Sequence, residues 1–179
     1  MSDTETPDAA EVDDAAEEPV VSAPYGAIAA SSSRGQVVLH VGREGYLDTI
    51  STARADGFVL CVDITAVDYA NHLDRALPAS IEGERFEVVV NLYDPVERRR
   101  VRIRAQVPES DPTIASIYSL YPGVDAPERE VYDMFGITFE GHPDPTRILM
   151  PEDWDGHPLR KDVSQGRIPV QFKSATNHR

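Results

Sequence analysis

One cysteine, Cys61, is the whole thiol inventory of the chain. An internal disulfide needs two and an iron–sulfur cluster needs a set of thiolates, so this chain can supply neither. Set among Val59, Leu60 and Val62, the thiol reads as an inert core residue rather than a reactive one. Long apolar runs are also missing: nothing approaches the ~20 residues that a membrane-spanning helix requires. Basic side chains are scarce, 17 Lys and Arg against 31 Asp and Glu, for a net charge of −14. The deficit is uneven, because Asp3, Glu5, Asp8, Glu11, Asp13, Asp14, Glu17 and Glu18 all precede the first basic side chain, Arg34. Without those carboxylates the balance is −6, still short of the basic face that nucleic-acid phosphates demand, so nucleic acid is not the expected partner. An acidic start has neither the apolar core of a signal peptide nor the basic character of a transit peptide. The chain is therefore expected in the cytoplasm, meeting a membrane only through partners.

Motifs that hold cofactors are absent too. No G-x-G-x-x-G follows a strand and no G-x-x-x-x-G-K-[ST] occurs, so NAD, flavin and ATP have no recognisable cradle. A G-x-S-x-G elbow, H-E-x-x-H, H-x-x-x-H and C-x-x-C are likewise missing. His142, Asp144, His157 and Asp162 form the only dense group of histidines and carboxylates. Each of the two histidines precedes a proline, where a hydrogen-bonding bracket in a turn is the simpler reading than a metal ligand.

At 179 residues one domain with a proper core is expected. Residues 1–34, acidic and then rich in Ala and Ser, bury too little to offset ordering and read as a disordered extension. The core domain is assigned to 35–136. It opens with a strand at Gln36–Val41, a helix from Arg43 on the spacing of Tyr46, Leu47, Ile50 and Ala53, a stop at Gly57, and an apolar strand at Phe58–Ile64 covered on both faces. The order is β-α-β. Asp68–Leu77 reads as a short helix ahead of Pro78. Phe86, Val88, Val90 and Leu92 alternate along one strand and Val101, Ile103, Ala105 and Val107 along the next, a hairpin turning at Asp94-Pro95. Arg98, Arg100, Arg102 and Arg104 share the other face, expected to be solvated and screened by water or acidic neighbours, with a partner-binding ladder as the alternative. Asp111-Pro112 reads as the start of a helix with Ile114, Ile117, Tyr118 and Tyr121 as its stripe, ended by Pro122-Gly123. The expected fold is a mixed α/β (α+β) domain: a small mixed sheet, helices packed on it, and an extended C-terminal arm.

The stretch from Ala126 to Asp162 organises the rest. Asp125 and Glu128 have the spacing of a helix capping box, with Pro127 in the first turn, Val131, Met134 and Phe135 as the buried stripe and Gly136 as the stop. Two Gly-His-Pro words follow, Gly141-His142-Pro143 and Gly156-His157-Pro158. Residues 137–179 are expected to run as an irregular arm, too apolar for a free tail and so ordered by contact with a partner.

Glu128-Arg129-Glu130, Asp133-Met134-Phe135-Gly136-Ile137, Gly141-His142-Pro143-Asp144, Arg147-Ile148-Leu149 and Gly156 to Asp162, in that order, closely resemble the signature of the thirty-kilodalton (C-type) subunit family of proton-pumping NADH:quinone oxidoreductase, respiratory complex I. Asp63-Ile64-Thr65-Ala66-Val67-Asp68-Tyr69 resembles a second block of that family. Pro127, where an aromatic is usual, and Val163-Ser164, where an aromatic–proline pair is usual, depart from the pattern. The resemblance implies a subunit of the peripheral arm with no redox centre and no catalytic residue of its own, on the cytoplasmic side of the cell membrane. FMN and iron–sulfur clusters would lie in partner subunits, and the chief neighbours would be the D and B subunits of the complex, the first of which helps to form the quinone pocket. It further implies docking residues at Glu128, Arg129, Glu130, Asp133, Phe135, Gly136, His142, Asp144, Arg147, Trp154, His157, Arg160 and Lys161, where charges of both signs would meet a complementary partner surface. Two other readings stand beside it: the equivalent subunit of a related membrane-bound hydrogenase or other quinone-reducing dehydrogenase complex, and a free metal-dependent hydrolase.

Overall fold

The computed structural model describes residues 25–163 apart from Ala27. Its centre is the hairpin of β4 (Phe86–Asp94) and β5 (Arg99–Val107), in which Phe86 opposes Val107 and Leu92 opposes Val101. The alternating residues of both strands are buried, as their period of two requires. Asp94 shapes the turn by accepting from the N–H groups of Val96 and Glu97 and from the Arg99 guanidinium. On one side β5 pairs in parallel with β2 (Gln36–Gly42), which is flanked by the antiparallel β1 (Ala29–Ser33). On the other side β4 pairs with β3 (Leu60–Asp68), giving the five-stranded order β1-β2-β5-β4-β3. Helix α1 (Tyr46–Ala55) carries the chain from β2 to β3, so the β-α-β opening encloses the hairpin strands between its own two. Tyr46, Ile50 and Ala53 of α1 are fully buried, and helix α2 (Asp125–Phe135) contributes Val131, Met134 and Phe135 to the same core. A side chain of that size contributes about 1.5–3 kcal/mol when taken out of water.

Several expectations need correction. Residues 113–121 form no helix. Thr113–Ala115 is β6, parallel to β7 (Thr138–Glu140), with Ile114 opposite Phe139. The partner strand lies beyond α2 in sequence, so local spacing could not reveal it. Ile117 and Tyr121 still reach the core through one turn, in which the Tyr121 N–H donates to the Ile117 carbonyl. β7 also places a regular element inside the segment expected to be irregular. Asp68–Leu77 forms no helix either, because β3 runs on to Asp68, whose carboxylate accepts from Ala70 N–H and turns the chain. β3 is not covered on both faces. It is a sheet edge with a bulge between Cys61 and Asp63, and Val59, Leu60 and Val62 are about half exposed. Cys61 is partly buried against the core, and burial pushes its thiol up to about 12, which keeps it protonated and unreactive at neutral pH.

The extension does not continue as such to residue 34. Tyr25 is buried with its hydroxyl 3.4 Å from Asp56 Oδ2, and β1 pairs along β2; residues 1–24 lie outside the described ones. On the second face of the sheet Arg98 sits in the hairpin turn rather than on the strand. Arg100 stacks on Tyr93, Arg102 donates to Asn91, and Arg104 donates to Tyr69 and to Glu87, a fully buried carboxylate. Acidic and aromatic neighbours thus take up a face that periodicity alone assigned to solvent.

Candidate interface: an arm clamped on helix α2

Helix α2 begins without the expected capping box. Its N-cap is Val124, and no side chain caps the first turn. Glu128 instead reaches across to the turn after β6, where Oε2 accepts from Ser116 Oγ at 2.6 Å and Oε1 from Ile117 N–H at 2.8 Å. Burial raises its carboxyl above the ordinary range, and the two hydrogen bonds only partly offset this. At its other end the helix closes as expected on Gly136, which is left-handed at φ +70°.

The arm then doubles back along the helix. His142 is nearly sealed from solvent, 3.3 Å from the Asp125 carbonyl through Nε2 while Nδ1 accepts from Asp144 N–H. Arg129 holds the next step, donating to the Thr146 carbonyl and hydroxyl and to the Arg147 carbonyl. Asp133 is the hub. Fully buried, it receives Arg147 on Oδ1 at 2.7 Å, and on Oδ2 the N–H groups of Ile148, Leu149 and Met150 at 3.1, 2.8 and 2.8 Å. Burial alone would push this carboxyl up, but the backbone donors of Met150, Leu149 and Ile148 together with Arg147 outweigh it and hold it below the ordinary range.

The second Gly-His-Pro word caps the helix C-terminus, whose last carbonyls have no partner within the helix. His157 Nδ1 donates to the Asp133 carbonyl, Leu159 N–H to Met134, and Arg160 Nε to Phe135, while Arg160 Nη2 lies 3.4 Å from the Gly136 oxygen. His157 also stacks edge-on against Tyr132, and Arg160 lies over Phe86. A β-carbon on Gly136 would lie 2.5 Å from His157 Nε2 and 2.7 Å from Arg160 Nη2, so glycine is needed for the close approach as well as for the backbone angle. Beyond it Lys161 N–H donates to Asp68, and Arg85 binds Asp68, Glu109 and Asp162. Asp68 belongs to the second of the two sequence blocks, and through it the blocks meet.

Of the residues expected to dock on partners, Glu128, Arg129, Asp133, His142, Arg147, His157 and Arg160 are therefore bonded within the chain, and Phe135 and Gly136 form the helix end beneath the cap. Glu130, Asp144, Trp154 and Lys161 are exposed, Asp144 with its carboxylate 3.5 Å from Arg129. The arm expected to take its order from a partner is held by its own domain as far as residue 163; residues 164–179 lie outside the described ones. Sequence reasoning missed Ser116, Thr146 and Arg85, the first two because they bond through short polar groups in unpatterned loops. Arg85 carried a signal: it is an isolated cation just ahead of an apolar strand. Among the described residues no group of three or more His, Cys, Asp or Glu is placed to hold a metal, and no helix is long and apolar enough to cross a membrane.

A family profile described as respiratory-chain NADH dehydrogenase, 30 Kd subunit, matches residues 39–168. The C subunit of NADH-quinone oxidoreductase from Nocardioides sp. is 42% identical over 146 residues, which cover 80% of this chain and 55% of that protein. The protein of the same name from Mycobacterium marinum is 43% identical over 145 residues, 79% of this chain and 57% of that one. The chain thus spans about half the length of the curated relatives it matches. Among solved structures, a trypsin-resistant fragment (1-134) of Nqo5 superposes with a TM-score of 0.55 at 35% identity, covering 63% of this chain and 85% of that one. A chain of the membrane-bound sulfane sulfur reductase, an archaeal respiratory membrane complex, superposes with a TM-score of 0.67 at 22% identity over 88% of this chain and 92% of its own, a likeness of fold alone. The matched profile takes in β3, the hairpin, α2 and the whole clamp, and the chain belongs to the family of the 30-kDa subunit of respiratory-chain NADH dehydrogenase.

Proposed function

We propose that the chain is a non-redox structural subunit of the peripheral arm of NADH:quinone oxidoreductase, supporting electron transfer from NADH to quinone coupled to proton translocation without binding a cofactor itself. FMN and the iron–sulfur clusters belong to partner subunits in this reading. The partners are other peripheral-arm subunits, chiefly the quinone-pocket (D) and B subunits, on the cytoplasmic side of the membrane. The observation that carries it is the clamp: the family's charged words are used to fix the arm's path along α2, which is what a scaffold needs and a catalyst does not. Residues 1–34, 35–136 and 137–179 were the expected divisions. The proposed working unit is the sheet domain together with the clamped arm, and docking falls to outward residues, Glu130 of α2 and Asp144, Trp154 and Lys161 of the arm among them. The inward ones act by positioning.

Affinity purification of the tagged chain from native membranes tests this directly. The D and B subunits and an NADH-oxidising flavin subunit should co-purify in equal amounts, with NADH:quinone activity. Recovery of a hydrogenase catalytic subunit in place of the flavin subunit would move the chain to the related-complex reading, and recovery of the chain alone would overturn the proposal.

A further inference from the structure

Once the clamp has drawn its charged residues inward, the arm shows the outside a different chemistry. Ile148, Leu149, Trp154 and Leu159 are 41, 59, 48 and 45% exposed; the N–H groups of Ile148 and Leu149 bond to Asp133, that of Leu159 to Met134 at the helix end, and that of Trp154 to Pro151 within the loop between them. A large apolar side chain held outward on an ordered segment is a mark of an interaction surface, and tryptophan is the residue most often dominant in one. The charges flanking the tryptophan in sequence have one sign, and the exposed cation of the arm, Lys161, lies beyond Leu159. Trp154 stands between Glu152, Asp153 and Asp155, all exposed and none in an ion pair among the described residues. The nearby cations Arg129, Arg147 and Arg160 already donate to Thr146, Asp133 and Phe135.

We infer that this face docks on a protein surface with an apolar depression, which takes Trp154, ringed by lysine and arginine. The inference rests on the scaffold reading and specifies the partner surface it requires. Charge sets a bilayer, a second copy and the acidic start of the chain aside, while residues 164–179, with Arg167, Lys173 and Arg179 and no side-chain carboxylate, carry the complementary sign. An anionic bilayer would be repelled by the carboxylates flanking the tryptophan. A second copy in a two-fold contact would set acid against acid, and the acidic segment at the start of the chain carries the same sign. A basic-rimmed partner makes each rim charge favourable and speeds encounter.

The test uses the tagged full-length chain in its native membranes, with the quinone-pocket and B subunits quantified per tagged chain. Two double variants address the two halves of the inference: Leu149→Ser with Trp154→Ser, and Asp153→Lys with Asp155→Lys. None of these side chains bonds within the clamp, so circular dichroism and melting temperature should match wild type. Each pair should lower the recovery of both partners by about tenfold or more, as loss of a central anchor or reversal of its rim does. The matching change at another exposed apolar site, Leu73→Ser, should leave recovery unchanged. Wild-type chain that fails to recover either partner would refute the scaffold reading. Wild type that recovers them while both double variants do so equally well would refute this inference alone. Binding of the purified chain to phosphatidylserine vesicles, or a stable homodimer lost on Trp154→Ser, would also overturn it. Loss of the double variants' effect once residues 164–179 are deleted would assign the face to those residues instead.

Discussion

Replacing Asp133 with alanine should open the arm without unfolding the sheet. The carboxylate accepts four hydrogen bonds, one from Arg147 and three from consecutive backbone N–H groups, and is sealed from solvent. Alanine leaves a half-buried guanidinium and three amides without their acceptor. Removing one partner of a buried, hydrogen-bonded ion pair costs about 3–5 kcal/mol, so the arm's closing equilibrium should weaken by roughly a thousandfold. Amide hydrogen exchange on the isolated chain reads this residue by residue. Ile148, Leu149, Met150 and Leu159 should lose most of their protection, while Val88, Val90 and Ile103 in the hairpin keep theirs. Asp133→Asn should fall between, because the amide retains one acceptor oxygen but turns a donor toward donors. Acid should mimic the alanine variant. Since the folded-state pKa of Asp133 is depressed, its contribution is complete above an unfolded value of about 4 and is lost as pH falls through the folded one. Unchanged exchange at residues 148–150 in Asp133→Ala would refute the idea that this carboxylate holds the arm.

Glu128 has the opposite sign. Its raised pKa means that stability is fully present below the unfolded value and declines as pH rises through the folded one, so Glu128→Gln should gain on wild type as pH rises above about 4; a melting-temperature difference that does not vary with pH would contradict this. Gly136→Ala should cost about 1–2 kcal/mol from the left-handed backbone alone, with His157 and Arg160 displaced besides, seen as lost protection at Leu159. Deleting residues 1–24 should leave the melting temperature unchanged, whereas deletion through Ser33 removes Tyr25 and β1, exposes the edge of β2 and should lower it and promote aggregation on heating.

The hairpin, α1 and the end of α2 were legible in the sequence because each rests on a local signal: strict alternation from Phe86 to Val107, helical spacing at Tyr46, Ile50 and Ala53, and glycine where a left-handed residue closes a helix. What failed locally was decided by distant chain. Ile114, Ile117 and Tyr121 were correctly placed in the core, but the backbone at Thr113–Ala115 pairs with Thr138–Glu140, which no window around it contains. Asp125 and Glu128 have the spacing of a cap, yet Ser116 and the Ile117 amide offered Glu128 better donors across the fold. The charged words of the arm were recognisable as a unit, and their direction was not. Asp133 and Arg160 look like surface charges in sequence and turn inward, because backbone amides and helix-end carbonyls supply partners that composition does not display.

Amide exchange of the isolated wild-type chain from residue 137 to 163 probes most directly whether the arm is fixed by its own domain. The clamp predicts protection at Ile148, Leu149, Met150 and Leu159 without any partner present, lost as the pH drops below the carboxylate range. Exchange at those four amides at the rate of an unstructured chain, slowed only when partner subunits are added, would contradict it.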